Sequence, residues 1–222
     1  MGFNLSAFFN DPNCPYYLTY QSFIVAGLVL SVIAYKRGAM RVFFLIPLLA
    51  LALLVEIAAD VTTGYAWAYH LYNPIEYTLL SLYYLENCKV LRYRTLVKWF
   101  IGVFIVAAIV LSRFVYKFSS LPALNINIEG ILLFVMYTHL LFSIDAEAII
   151  YRHPDFWIST GILTYFGGVF VCFNLYSTLL HLNPDHTEQL FGAVSFPLNI
   201  ILYTCIVISQ ICLLRNKKYF IL

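Results

Sequence analysis

Seven polar side chains interrupt the longest apolar stretches of this sequence, where a polar group without a partner is most costly. They are three carboxylates, three amides and one phenol: Glu56, Glu76, Glu129, Asn73, Asn174, Asn199 and Tyr203. An ionised side chain at the centre of a bilayer costs about 2.5–3.5 kcal/mol on insertion scales, so such a group needs a partner or a wet cavity. We predict that these seven side chains line one pocket for a small ligand.

Glu56 and Glu76 contribute most to this prediction, because intramembrane carboxylates are costly and these two fall at matching depths on neighbouring predicted helices. If the two carboxylates face each other they could share one proton, which would make the site sensitive to pH. Asn174 belongs to a stripe of small and polar residues at helical spacing, which predicts an inward face on helix six. Helix packing is the competing explanation for this stripe and for the polar residues beside Pro197.

The composition indicates a membrane protein. Of 222 residues, 62% are hydrophobic and 11% are charged, whereas soluble proteins carry about 25% charged residues. A soluble domain of this size still exposes much of its surface, so it could not hide this much apolar side chain. The net charge of +2 is too small to indicate nucleic acid, and the five cysteines show no CxxC spacing that would favour a thiol-based metal or redox site.

The hydrophobic segments predict an all-α integral membrane fold, a bundle of seven transmembrane helices in a single domain over residues 1–222. A bilayer core about 30 Å thick requires about 20 apolar residues per helix. The predicted helices cover approximately residues 18–35, 42–59, 71–88, 96–116, 123–144, 156–181 and 190–214. The pocket residues then fall in the outer half of the bilayer.

The basic residues predict the orientation, because cytoplasmic loops of membrane proteins are enriched in Lys and Arg. Only two of the thirteen, Arg113 and Lys117, lie on one side of the predicted bundle. The other eleven lie on the opposite side: Lys36, Arg37, Arg41, Lys89, Arg92, Arg94, Lys98, Arg152, Arg215, Lys217 and Lys218. We therefore predict an external N-terminus and a cytoplasmic C-terminus.

Several chemistries are not supported by the sequence. The predicted helix seven contains no Lys for a retinal Schiff base, and no GxSxG, P-loop or dinucleotide motif occurs. We predict no catalytic residue, no cofactor and no metal. An intramembrane lipid-modifying enzyme remains a third alternative, with zinc held by His70, His181 and Asp60. His153 is expected to be solvated in a loop.

A transporter is the second alternative. Asn73-Pro74-Ile75-Glu76 in helix three and Phe196-Pro197-Leu198-Asn199 in helix seven each place a polar residue two positions after a proline. Helices one to three and five to seven also run in the same directions. Such a 3+1+3 parallel repeat is typical of transporters, whose substrate sites lie between repeats.

Two motifs give a resemblance to a known group. The segment 153–159 (HPDFWIS), which runs into Tyr165-Phe166-Gly167-Gly168, resembles small seven-helix bacterial membrane proteins that are similar to the seven-transmembrane input modules of histidine kinases. Glu56 and the helix-three motif fit the same resemblance. It implies a sensory role in the bacterial cytoplasmic membrane. Because this chain carries no kinase, a histidine kinase or another membrane or cytoplasmic signalling protein is the expected partner, besides the lipid bilayer and an unknown small ligand.

Overall fold

The computed structural model describes residues 14–61, 66–88, 90–116, 120–144, 149–182 and 184–215. Within these ranges the side chains at 14, 16, 59–61, 173, 176–182 and 184–192 lie outside the described part.

Seven α-helices follow one another along the described chain and correspond to the seven predicted segments. They are α1 (Cys14–Lys36), α2 (Leu45–Val61), α3 (Ala66–Asn87), α4 (Leu91–Phe114), α5 (Ala123–Phe142), α6 (Pro154–Leu182) and α7 (Pro184–Arg215). Two 3-10 turns, Met40–Phe44 and Ile150–Arg152, precede α2 and α6. No β-strand occurs among the described residues, and the all-α class is confirmed.

Three helix ends have clear local causes. Pro154 and Pro184 are the first residues of α6 and α7. At this position the fixed φ of proline suits a helix, and the N–H that proline lacks would have no partner within the helix. α7 begins six residues before its predicted start, so most of the predicted loop before it is helical. Beyond the end of α1, Gly38 has a φ of 96°, in the left-handed region that glycine adopts without steric cost.

Six helices in the described part of the chain are long and apolar enough to cross a membrane, so the chain is a multi-pass helical membrane protein. These spans are Tyr17–Lys36, Met40–Ala58, Leu91–Phe114, Ala123–Phe142, Pro154–Cys172 and Ala193–Arg215. α3 is not among them, because five tyrosines and several amide, imidazole and carboxylate groups lower its hydropathy. Half of the residues of α3 are nevertheless buried, so its neighbours cover its polar face.

The helices pack as a ring of six with one helix outside. The extensive contacts run in the order α1, α2, α3, α5, α6 and α7, and α7 closes the ring by packing on α1. α4 packs against α3 with only a small contact to α5. Its remaining surface exposes large apolar side chains, including Val103, Val106, Ile109 and Phe114, as expected for a helix facing lipid.

Buried phenols join α3 to α5 at the centre of the bundle. The Tyr137 hydroxyl donates a hydrogen bond of 3.0 Å to the Leu80 carbonyl, and the Tyr84 hydroxyl lies 2.8 Å from Nδ1 of His139. Buried tyrosines usually find such partners, since the unpaired hydroxyl would be costly. These two bonds fix the spacing of the two helices that carry Glu76 and Glu129.

Candidate ligand-binding cavity

A cavity of about 140 Å³ lies between α3, α5, α6 and α7. It brings together four predicted site residues: Asn73 and Glu76 from α3, Glu129 from α5 and Asn199 from α7. The other described residues that line it are Tyr69, Tyr72, Leu121, Ile126, Tyr165, Phe166, Val169 and Ser195. A volume of this size is close to that of an engineered protein cavity of about 150 Å³ that accommodates benzene.

Two prolines accompany the cavity residues on their helices. Pro74 lies between Asn73 and Glu76 in α3, and Pro197 lies two residues before Asn199 in α7. Proline inside a helix lacks an N–H and breaks the bond to the carbonyl one turn earlier. Each helix therefore has an interrupted backbone ladder beside the cavity, which is where such a helix bends most easily.

The two carboxylates of the cavity have different surroundings. Glu76 is buried, and its Oε1 accepts a hydrogen bond of 2.9 Å from the Tyr72 hydroxyl one turn earlier on α3. Glu129 is 1% exposed, and its Oε1 has no hydrogen-bond partner among the described residues. The amide nitrogen of Asn73, a residue that is 2% exposed, likewise lacks a partner in the described part of the chain. The cavity wall therefore contains polar atoms whose hydrogen-bonding capacity is unused.

Tyr165 on α6 is a central residue of the site that the sequence did not single out. Its phenol lies close enough to interact electrostatically with three carboxylates, those of Glu76, Glu56 and Glu129. In the sequence, Tyr165 was marked by its position in the aromatic segment before Gly167-Gly168. Tyr72 had a clearer signal, since it lies four residues before Glu76 and so on the same helical face.

Asn174 lies away from the cavity. It is exposed, and its amide donates a hydrogen bond of 2.7 Å to the Phe170 carbonyl of its own helix. The predicted inward stripe of α6 is therefore replaced by a different face, with Ile158, Ile162 and Phe166 in the core. The physical reason is that a small amide can satisfy itself on its own backbone, whereas helix association in lipid depends on close side-chain packing, which Ile158, Ile162 and Phe166 supply.

Glu56 and Tyr203 lie on the other side of the Tyr72–Glu76 pair. The Tyr20 hydroxyl donates a hydrogen bond of 2.5 Å to Oε2 of Glu56, and the rings of Tyr20 and Tyr203 stack with centroids 6.4 Å apart. A small void of about 10 Å³ between α2, α3, α6 and α7 is lined by Tyr72, Glu76 and Tyr203, among other residues. Its size suits about one water molecule.

Glu56 and Glu76 are electrostatic neighbours but have different hydrogen-bond partners. Glu56 does not line the larger cavity. The predicted pocket is thus divided into two parts. One is the cavity with Asn73, Glu76, Glu129 and Asn199, and the other is the aromatic and carboxylate cluster of Tyr20, Glu56 and Tyr203 beside it.

A second polar network joins the opposite end of α3 to the start of α6. Asp155, in the first turn of α6, accepts a hydrogen bond of 2.9 Å from the Tyr83 hydroxyl and forms an ion pair of 3.4 Å with Arg41. Arg41 also donates to Oδ1 of Asn87 at 3.2 Å. A carboxylate is favoured at a helix N-terminus by the macrodipole. The sequence did not predict this network.

His153 belongs to the same network, although it was expected to be solvated. Its Nδ1 lies 3.6 Å from Oδ2 of Asp155, and the backbone N–H of Asp155 donates to that nitrogen at 3.3 Å. The extended backbone of His153 before Pro154 follows from the steric restriction that proline places on the preceding residue. This restriction holds the imidazole beside the helix start.

His70 is engaged in helix packing. Its Nδ1 lies 2.8 Å from Oγ of Ser112 on α4, and its Nε2 lies 2.8 Å from the Ser120 carbonyl. The side chains of Asp60 and His181, the other two proposed zinc ligands, lie outside the described residues. Within the described part of the chain, no group of three or more His, Cys, Asp or Glu side chains is arranged to hold a metal ion.

Comparison with known protein families, with curated proteins and with solved structures finds no match to this chain.

Proposed function

We propose that this protein is a receptor-like sensory module of the bacterial cytoplasmic membrane. It spans the bilayer seven times, with α3 as the seventh span, and places its N-terminus outside and its C-terminus in the cytoplasm. A small ligand occupies the cavity between α3, α5, α6 and α7. The message passes to a partner protein at the cytoplasmic side, a histidine kinase or another signalling protein.

One observation carries this proposal: α3 and α6 each connect the cavity to the Asp155 network. On α3, Glu76 and Tyr83 are seven residues apart, which is about 10 Å along the helix. On α6, Asp155 and Tyr165 are ten residues apart, or about 15 Å. A ligand that binds one arrangement of these two helices better than another shifts the population between them. The shift would then reach the far end through the Tyr83–Asp155 bond.

The distribution of charge supports the orientation. The Asp155 network lies at the end of the bundle that carries most of the basic residues, among them Arg41, Arg92, Arg94 and Arg152. Basic loops are typical of the cytoplasmic side. A basic surface beside the network also suits an acidic surface on a partner, because complementary charge speeds association and selects partners.

The coupling between cavity and network can be tested by measuring a distance at the far end. Spin labels at Val90→Cys and Arg152→Cys, two exposed positions, are introduced after the native cysteines are replaced by alanine. Glu76→Gln in the cavity should change the distance distribution between the labels. The matched control Glu86→Gln changes an exposed carboxylate on the same helix and should leave it unchanged. Identical distributions for Glu76→Gln and the parent protein would remove the support for a receptor.

Transport is the second candidate, and the helix order favours it specifically. If α1–α3 and α5–α7 are two parallel repeats linked by α4, the repeats should contact each other at two junctions. In the ring these junctions are the packed pairs α3–α5 and α7–α1. The proline motifs of α3 and α7 also place Glu76 and Asn199 at one cavity. Both observations support equivalent roles for the two halves.

Flux measurements separate the two candidates. The protein is reconstituted into vesicles that contain a pH-sensitive dye, and a membrane potential is imposed. Proton flux that depends on the protein and is lost in Glu76→Gln but retained in Glu86→Gln would favour a proton-coupled transporter. Vesicles without such flux, together with a label distance that responds to Glu76→Gln, would favour the receptor.

A further inference from the structure

We infer that the cavity between α3, α5, α6 and α7 binds a small organic ammonium ion. This inference rests on the proposed function in one respect, namely that the cavity is a ligand site. It adds the chemical class of the ligand, which is a cation with about six non-hydrogen atoms or fewer, as the volume of about 140 Å³ allows.

The charge of the lining is the first argument. Two carboxyl groups, those of Glu76 and Glu129, line the cavity, and none of the twelve described lining residues carries a basic side chain. The two carboxyl groups interact electrostatically with each other. Two carboxylates that share a site repel each other when both are ionised, so a cation between them would stabilise the ionised pair. An anionic ligand would meet repulsion from the same groups.

The unused hydrogen-bonding atoms are the second, independent argument. Glu129 is 99% covered, yet its Oε1 has no hydrogen-bond partner among the described residues. Burial of such an oxygen without a partner is unfavourable, and more so when it is charged. The N–H groups of an ammonium ion are donors that would satisfy it, through hydrogen bonds strengthened by both charges. Asn73, whose amide nitrogen also lacks a partner in the described part, can serve a hydroxyl group on the same ligand.

The aromatic walls are the third argument. Tyr69 and Tyr72 on α3 form an edge-to-face pair with ring centroids 6.3 Å apart, and Tyr165 and Phe166 on α6 form another at 5.0 Å. All four residues line the cavity. An organic cation within about 6 Å of the face of such a ring is attracted by the ring's negative electrostatic potential. A bare metal ion would need a shell of oxygen ligands instead, so the mixture of rings and carboxyls favours an organic ammonium.

The test compares matched probes of different charge on the purified full chain in lipid nanodiscs. Ethanolammonium is paired with neutral ethylene glycol and anionic glycolate, and tetramethylammonium is paired with neutral tert-butanol. Isothermal titration should give at least about tenfold tighter binding for ethanolammonium than for ethylene glycol, because its N–H groups can form charge-assisted hydrogen bonds with the carboxylates. Tetramethylammonium has no N–H group, so it should bind more tightly than tert-butanol through the aromatic rings and the carboxylate charge alone. Glu129→Gln should lower the affinity for the cations about tenfold or more, and Glu86→Gln should leave it unchanged.

A measurement on the unmodified protein keeps the test independent of whether a variant folds. Carbodiimide labelling of Glu76 and Glu129, followed by mass spectrometry, should fall when ethanolammonium is present and should not change with ethylene glycol. If glycolate or the neutral probes bind as tightly as the cations, the ligand class is wrong while the cavity remains a ligand site. If no probe binds and none protects the carboxyls, the inference is overturned. The label-distance experiment on Glu76→Gln then decides the receptor role separately.

Discussion

The Tyr83 hydroxyl on α3 donates a hydrogen bond of 2.9 Å to Oδ1 of Asp155, which lies 72 residues later in the first turn of α6. The other carboxylate oxygen of Asp155 pairs with Arg41. One side chain therefore joins α3, α6 and the 3-10 turn before α2. Because α3 and α6 both line the cavity as well, this bond fixes their relative position at the end opposite the cavity.

Replacement of Asp155 should destabilise the protein more than replacement of Tyr83. Asp155→Asn keeps an acceptor for Tyr83 but removes the charge that balances Arg41, whose side chain is largely buried. We expect a loss of about 1–3 kcal/mol for Asp155→Asn and about 1 kcal/mol for Tyr83→Phe. Thermal unfolding in detergent measures both. Glu86→Gln, at an exposed carboxylate, should be neutral. Equal stability of Asp155→Asn and the parent would show that the ion pair contributes nothing.

Glu129→Met should leave the stability unchanged or raise it by about 1 kcal/mol, while ligand binding is lost. The change removes a buried carboxyl oxygen without a partner in the described part of the chain and replaces it by an apolar group of similar volume. Sites for ligands commonly trade stability for function in this way.

Asn125→Leu is the contrasting variant. Oδ1 of Asn125 also lacks a partner in the described part of the chain, but its amide nitrogen donates to Oγ of Ser112 and to the Ala108 carbonyl, so the loss of these bonds should lower the unfolding temperature. A clear loss of stability in Glu129→Met would show that this carboxyl has a structural partner.

The sequence predicted the helices well because apolar length is a local property. Each of the seven segments became a helix, including α3, which is less apolar than the others but has the required length. The helix ends were less accurate. Between Leu182 and Leu190, for example, a proline and polar residues indicated a loop, yet α7 begins at Pro184, since proline is as suitable for the first turn of a helix as for a turn.

The site was predicted in part, for reasons that differ from residue to residue. Glu76 and Glu129 are carboxylates in apolar surroundings, and this cost alone indicated that they face the interior. Asn174 has an amide that hydrogen-bonds to its own helix. The presence of an asparagine at this position therefore did not indicate whether its side chain points into the bundle. The pairing of Arg41 with Asp155 spans 114 residues. Such a contact depends on how the helices are arranged, which no local pattern of residue types reveals.

Two exposed arginines test the proposed orientation. Arg113 lies in the last turn of α4, and Arg152 lies in the 3-10 turn before α6. In intact cells, a membrane-impermeant maleimide should label Arg113→Cys, because we place this end of α4 outside. Arg152→Cys should be labelled only after the cells are permeabilised. The reverse pattern would invert the bundle and place the cavity toward the cytoplasm, and labelling of both in intact cells would exclude seven spans of the proposed order.

The interface between α6 and α7 is the most extensive in the bundle, and it depends on Gly161. A Cβ atom added at Gly161 would lie 2.8 Å from Cβ of Cys205 and 3.3 Å from the Leu202 carbonyl on α7. Neither atom is the end of a flexible side chain, so the helices themselves would have to separate. Small residues allow this close approach where helices pack in a membrane. We expect Gly161→Ala to cost about 1–3 kcal/mol, the usual cost of overpacking.

Gly102 on α4 provides the matched control, because a Cβ added there meets no described atom within 4 Å. Gly102→Ala should be neutral or stabilise by up to about 1 kcal/mol, since alanine favours the helix over glycine. Thermal unfolding in the same detergent compares the two variants. The spin-label distance between positions 90 and 152 should also change in Gly161→Ala, because α6 connects this interface to Asp155. Similar stability and distances in both alanine variants would contradict the close packing of α6 on α7.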